Sequence, residues 1–310
     1  MSEFSFEPAA WIPFKDKAEI ERVRNIKRAD IEKHANPDFN IRVVPDADVG
    51  WIFIGDMIAR LKESDEKNEK VVFIMPNPCH AYKYAAYLIN RMKINCRNLY
   101  IFAMDEWADQ DGNIAPESWE PGFGHALMKH FYYNIDEDLR PDRKQVTLFA
   151  NDTVEDYSKM IAGHGGASAC YTGPGWAGHM AFVDPDVEEW SKDLEEWKKQ
   201  GARVCGLHPL TIAQNSLHGC FGMSGDLAAV PPRAATIGPA DIIGAKFRME
   251  TNALTTMGTF SSWQRMTTRL AAHGPVTPQI PTSLHQTLKT DFYISETAAA
   301  DIEPQWNMEY

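Results

Sequence analysis

Two short apolar runs, VVFIM at 71–75 and NLYIFAM at 98–104, are followed by a third strand-like stretch, ASACYTG at 167–173, that runs into a glycine-rich loop. Runs this short with no polar alternation predict strands covered on both faces. Amphipathic stretches lie between them. Residues 81–92 place Tyr84, Ala85, Leu88 and Ile89 on one helical face, a second helix is predicted near 117–131, and a further strand-like piece at 146–149 precedes a helix over 154–162. Upstream, 15–34 carries Ile20, Val23, Ile26 and Ile31 as a narrow apolar stripe in a charged background, which predicts a surface helix ended by Asn36-Pro37-Asp38. Over 47–62, Val49, Phe53, Met57 and Leu61 recur every four residues, with Ile52 and Ile58 widening the face. Downstream the pattern predicts helices over 186–200, 210–218 and 263–272, a loop-rich stretch over 220–241 and a last strand, DFYIS, at 291–295. Strand, helix, strand at this spacing argues for a parallel α/β sheet, and with no linker in view, for one domain.

Composition narrows the function classes. The 310 residues are 44% hydrophobic and 24% charged, and 31 Lys plus Arg against 43 Asp plus Glu give a formal charge of −12. An acidic surface repels a phosphate backbone, so no nucleic-acid partner is expected. No apolar run approaches the roughly 18 residues of a membrane span, and the start, MSEFSFEPAAWIPF, lacks the basic flank and apolar core of a secretory signal. A cytoplasmic protein with no membrane partner is the expectation. The five cysteines, Cys79, Cys96, Cys170, Cys205 and Cys220, form no CxxC and are expected to be reduced. No HExxH occurs, and His125 and His130 are five apart, off a common helical face, so no metal is expected. Gly173-Pro174-Gly175-Trp176-Ala177-Gly178 has dinucleotide-loop spacing, but no acidic strand end follows about 20 residues on, where Glu188, Glu189 and Glu195 fall in a charged helical run. No cofactor is expected.

Ligands of open parallel sheets bind beyond the carboxyl ends of the strands. Two features fall there. Asp105-Glu106 follows the second strand directly; a carboxylate so placed either moves protons with a raised pKa or simply caps the next turn. The loop at 173–185 follows the third strand. Its glycines Gly173, Gly175 and Gly178 permit a tight turn with exposed N–H groups, and His179 with Asp184 five residues on reads as an oriented acid–base unit or as a satisfied core histidine beside a helix-capping carboxylate.

Together these features resemble the glucosamine-6-phosphate deaminase/isomerase family, which also includes sugar-phosphate lactonases. Met104-Asp105-Glu106-Trp107 is similar to the family's Met-Asp-Glu-Tyr strand end, Pro116-Glu117-Ser118 to its Pro-Glu-Ser, and His130-Phe131-Tyr132-Tyr133 to an aromatic helix end. The family signature Gly-x-Gly-x-Asp-Gly-His-x-Ala-Phe-Asn-Glu-Pro resembles the stretch from Gly173 to Pro185. Order and spacing agree over 71–185, with weaker similarity at 213–216, 234–238 and 283–285. The resemblance implies a three-layer, mostly parallel open sheet with helices on both faces, modified Rossmann-like, over 41–310, with 1–40 a mainly helical extension. It implies that Asp105 is the base moving a proton between C1 and C2 of an open-chain sugar, that Glu106 supports it, that His179 opens the pyranose ring, and that Asp184 replaces the glutamate orienting that histidine.

The departures are as specific. The family's Asp before Gly-His is Ala177. Its glycine-rich phosphate turn is replaced by Met75-Pro76-Asn77-Pro78-Cys79-His80, where two prolines remove two donors. Its phosphate arginine after Asn215-Ser216 is Leu217, and near its phosphate lysine the chain offers Arg265. Candidate substrate contacts are therefore Asn77, His80, Gly175, Trp176, Gly178 and Arg265. The leading reading is an amino-sugar deaminase or aldose–ketose isomerase, in hydrolase or isomerase chemistry, on a substrate other than glucosamine 6-phosphate. The alternatives are a non-catalytic sugar-binding or regulatory protein on the same scaffold, and a sugar lactonase. The expected partner is a small sugar or sugar phosphate, and the resemblance implies homo-oligomers.

Overall fold

The computed structural model describes residues 6–76, 81–253 and 261–306. Ten strands occur in chain order: β1 (Phe39–Val44), β2 (Val71–Met75), β3 (Leu99–Ala103), β4 (Asp105–Ala108), β5 (Val146–Thr147), β6 (Ala169–Thr172), β7 (Arg203–Gly206), β8 (Arg233–Thr236), β9 (Arg248–Asn252) and β10 (Thr290–Ser295). Seven form one sheet in the order β1-β10-β9-β6-β2-β3-β5, with every pairing parallel. The other three form an antiparallel sheet, β4-β8-β7.

The continuous apolar runs take the centre of the large sheet because both faces are covered. Along β2, Val71, Phe73 and Met75 pack into one core and Val72 and Ile74 into the other. The first core is closed by α2 (Val49–Lys67), α3 (Tyr82–Met92) and α4 (Phe123–His130). The second is closed by α5 (Tyr157–Gly163), by Trp190 and by Trp197 of α6 (Leu194–Trp197). The parallel α/β sheet that the hydrophobic pattern predicted, and the three-layer, mostly parallel arrangement that the resemblance implied, are both present. Among the described residues no helix is long and apolar enough to cross a membrane.

Several elements differ from the sequence expectation. The helix over 15–34 is only α1 (Lys17–Arg24), started by the Asp16 carboxylate on the N–H groups of Ala18 and Glu19. After Asn25 the chain turns, because Lys27 and Arg28 are drawn to Asp301, Glu303 and Glu296 of the carboxyl-terminal segment. The boundary expected at residue 40 falls inside β1, where Phe39 and Ile41 point inward and Asn40 and Arg42 outward. The helix over 117–131 shortens to α4, since Pro121-Gly122 breaks its start, and the helix over 186–200 shortens to α6, since Trp190 is buried outside any helix. The second sheet was not anticipated. Its strands are four residues long and do not carry the long apolar runs of the first.

Candidate active site

The two sequence features both follow the carboxyl ends of strands of the large sheet. β3 ends at Ala103, the Met104 N–H donates to Met75 O at the end of β2 (2.9 Å), and the chain passes straight into β4. Asp105 therefore starts a strand of the second sheet, opposite Thr236 of β8. It is buried, and among the described residues its Oδ1 has no hydrogen-bond partner. Burial, reinforced by the neighbouring Glu106 charge, holds its proton well above the usual carboxylate range.

Glu106 faces a different set of groups. Its Oε1 accepts from the N–H of Trp107 (2.8 Å) and Phe123 (3.0 Å), and its Oε2 from that of Gly124 (2.6 Å). It is the carboxylate that closes the first turn of α4, satisfying donors a helix start leaves open. Burial raises its pKa while the three N–H groups pull it down.

The His179 loop is built around missing side chains. Gly178 adopts φ +80°, its N–H donates to Gly175 O (2.9 Å), and the ring of His179 lies against Gly175 so closely that a Cβ there would stand 1.9 Å from Nε2. Thr282 pins the turn by donating its hydroxyl to Gly178 O (2.9 Å) and His179 O (2.6 Å). His179 Nδ1 then lies 2.7 Å from Asp184 Oδ1 and 2.9 Å from Thr211 Oγ1. Thr211 donates its single hydroxyl proton to Asp184 Oδ1 (2.7 Å), and the His208 N–H donates to Asp184 Oδ2 (2.8 Å). Both oxygens facing Nδ1 are thus acceptors toward it. The proton of a neutral imidazole sits on Nδ1 and the lone pair on Nε2.

Thr211 and His208 come from the start of α7 (Pro209–Asn215), with His208 as the N-cap and Pro209 at the first helical position. The helix begins one residue before the predicted 210–218, and that register brings Thr211 under the histidine. Neither residue was singled out from the sequence. The His-Pro dipeptide marks a helix start, but nothing in the linear pattern says which side chain that start will face. The N-terminal segment also arrives here: Trp11 O lies 3.2 Å from His208 Nε2.

The two halves are joined by packing. Phe182 donates its N–H to Thr236 Oγ1 (3.0 Å), on the residue opposite Asp105, and its ring lies 5.0 Å from that of Trp107. Trp176 is 39% exposed, its N–H held by Gln214 Oε1 (2.7 Å), with its indole nearly parallel to that of Trp263. Arg265, expected as a substrate contact, meets the carboxyl-terminal segment through Nη2. On α9 (Gln264–His273) it donates to Ala300 O (3.1 Å) and to Asp301 O, so it anchors the carboxyl-terminal segment. Burial lowers its pKa. Asn77 and His80 lie outside the described residues. Among the described residues no group of three His, Cys, Asp or Glu is placed to hold a metal ion.

No family model matches the chain. It is 27% identical over 228 residues to a glucosamine-6-phosphate deaminase of Rhodopirellula baltica, covering 72% of this chain and 80% of that one. With the Caenorhabditis elegans protein of the same name it shares 24% over 197 residues, covering 61% and 66%. With that of Borreliella burgdorferi it shares 29% over 175 residues, so it spans little more than half of that relative's length, 58%. Among solved structures, a monomeric glucosamine-6-phosphate deaminase superposes with a TM-score of 0.66 at 16% identity, covering 84% of this chain and 98% of that one. A 6-phosphogluconolactonase from Leishmania guyanensis gives 0.60 at 10% identity over 85% and 98%.

Proposed function

We propose, from the premise that this chain belongs to the glucosamine-6-phosphate deaminase/isomerase family, that it is an enzyme that opens a pyranose ring and moves a proton between C1 and C2 of the open-chain sugar. The observation that carries this reading is the placement, just past the carboxyl ends of β6 and β3, of an imidazole tied through Nδ1 and of a buried carboxylate with an oxygen that has no hydrogen-bond partner among the described residues.

His179 Nε2 accepts the proton of the anomeric hydroxyl. The C1–O5 bond breaks, O5 takes that proton back, and the aldehyde is left at C1. Asp184 and Thr211 face the positive charge that passes over the ring during transfer, at 2.7 and 2.9 Å. Asp105, once ionised, removes the proton on C2 and returns it to C1. O1 takes up a proton as the enol forms, and the C2 hydroxyl or amine gives one up as the enol collapses, so a second proton passes from the C2 heteroatom to O1. With a hydroxyl at C2 the product is a ketose. With an amine at C2 the product is an imine that water hydrolyses to the ketose and ammonia. Glu106 is a positioning residue in this scheme: its oxygens are engaged by backbone N–H groups, and its charge tunes the proton affinity of Asp105.

The test is turnover of aldoses and 2-amino aldoses in D2O, with ammonia and ketose assayed and deuterium located in the product. Deuterium at C1, lost in Asp105→Asn, supports the reading. Acid release from a lactone without C1 labelling would put the lactonase reading in its place, and binding of sugars without any turnover the non-catalytic one.

A further inference from the structure

Beside the proton-transfer groups lies a surface that they do not use. Trp176 sits between Gly175, against which the His179 ring rests, and Gly178; its N–H is fixed by Gln214 and its carbonyl lies 3.5 Å from the Thr267 hydroxyl. Trp263, at the start of α9 and half-buried, holds its indole 6.4 Å from that of Trp176, centroid to centroid, with only 11° between the ring planes. A large indole 39% exposed and fixed at both backbone ends is a pre-organised aromatic surface.

α7 connects this surface to the chemistry. One seven-residue helix supplies Thr211 to His179 and Gln214 to Trp176, and just beyond it the chain exposes Leu217. Among the described residues, the rim beside the histidine thus carries two indoles and Leu217 along with the polar Gln214 and Thr267. A phosphate dianion leaves water only for several charge-assisted donors. Arg265, two residues after Trp263, is tied to the carbonyls of Ala300 and Asp301, and Lys246 lies ahead of β9 at the amino ends of the central strands, away from the strand ends that carry His179, where its backbone N–H meets Ala167 O.

We infer that Trp176 and Trp263 form the subsite for the sugar ring, and that the substrate is an unphosphorylated aldose or 2-amino aldose whose apolar C–H face stacks on indole. This rests on the reading of His179 and Asp105 given above and names the substrate class of that same site. The C–H bonds of a pyranose face are electropositive and meet the negative face of the ring, and the ammonium of a 2-amino sugar gains from the same face.

The experiment compares glucose and glucosamine with their 6-phosphates in binding calorimetry and turnover, on the wild type, Trp176→Ala, Trp176→Phe and Trp263→Ala. The expected result is a kcat/KM at least about tenfold higher for the unphosphorylated sugars. Trp176→Ala and Trp263→Ala should each raise KM about tenfold with a much smaller change in kcat, and Trp176→Phe should recover most of it. If the alanine variant does not fold, the phenylalanine and Trp263 variants still read the effect. A preference for the 6-phosphates, with inorganic phosphate competing and the tryptophan variants unaffected, would overturn the inference. It would leave the proton-transfer reading standing so long as Asp105→Asn and His179→Asn remain inactive. No binding of either sugar class overturns it as well.

Discussion

His179 Nδ1 and Asp184 Oδ1 stand 2.7 Å apart with both side chains almost wholly out of water, and Thr211 bridges them by hydrogen-bonding to each. A buried carboxylate beside a buried imidazole is stable only if its remaining lone pairs are met. Thr211 and the His208 N–H meet them. The residue at the family's carboxylate position is Ala177, so the hydroxyl of Thr211 is the additional polar group at Nδ1.

Thr211→Val keeps the shape and removes the hydroxyl. The expected outcome is a fall in kcat of about tenfold, from the loss of one hydrogen bond to a charged group, with KM little changed. Thr211→Ser should restore most of the rate. A valine variant with wild-type kcat would assign Thr211 to packing alone.

Asp105→Asn should abolish turnover by at least about 10²-fold and yet stabilise the protein. Burial raises the folded-state pKa of Asp105 above its unfolded value. The native state therefore binds this proton more tightly, and stability from the neutral form, full below the unfolded pKa, is lost as pH rises through the folded pKa. Urea unfolding at pH 5 and pH 8 checks this: the advantage of the asparagine variant should grow with pH. Catalysis in the wild type should fade on the acid side at a pH above that of an ordinary carboxylate.

Glu106→Gln retains an oxygen for the start of α4 and removes the charge. Because that charge is one cause of the raised pKa of Asp105, the acid limb of the pH–rate profile should move to lower pH. Glu106→Ala removes both oxygens that meet the three N–H groups and should cost about 2–3 kcal/mol in unfolding free energy. An unmoved acid limb in the glutamine variant would separate Glu106 from the site.

The strand ends that carry the site were legible because β2 and β3 are continuous apolar runs and β6 runs straight into a glycine-rich loop. Asp105 and His179 follow from where those strands stop. The second sheet was not legible. β4 begins with two acidic residues, and only their engagement, Glu106 on α4 and Asp105 opposite Thr236, lets them enter a strand. The contacts of Arg265 with the carbonyls of Ala300 and Asp301 were not legible, because helical periodicity gives its face but not its neighbour 35 residues on.

Gly175→Ala tests how closely the loop fits its histidine. The new Cβ would stand 1.9 Å from His179 Nε2, so the ring must move, and a displacement of about 1 Å costs on the order of 10²-fold in rate. Gly55→Ala on α2 is the matched control. Nothing lies within 4 Å of its Cβ, so this change should leave the rate alone and add about 0.5–1 kcal/mol of stability. Equal activity in the two variants would mean that the ring has room the structure does not show.

Glu250 and His285 make a second buried acid–base pair, on β9 and on the turn before β10, and it behaves differently from the first. Both side chains are fully buried with Oε2 and Nε2 3.4 Å apart, and among the described residues neither Glu250 oxygen has a hydrogen-bond partner. Thr172 Oγ1, at the end of β6, lies 3.3 Å from the same ring nitrogen. In contrast to Asp184, this carboxylate has a neighbour without a hydrogen-bonding shell, so removing the neighbour leaves it uncompensated. His285→Leu alone should therefore cost about 3–5 kcal/mol, while Glu250→Leu combined with His285→Phe should be neutral or stabilising by about 1–4 kcal/mol. Urea unfolding of the single and double variants measures both. A double variant as unstable as the single one would show that the pair is held by more than mutual compensation. Because Thr172 runs directly into the His179 loop, turnover of the double variant then reports whether the pair also sets where that loop begins.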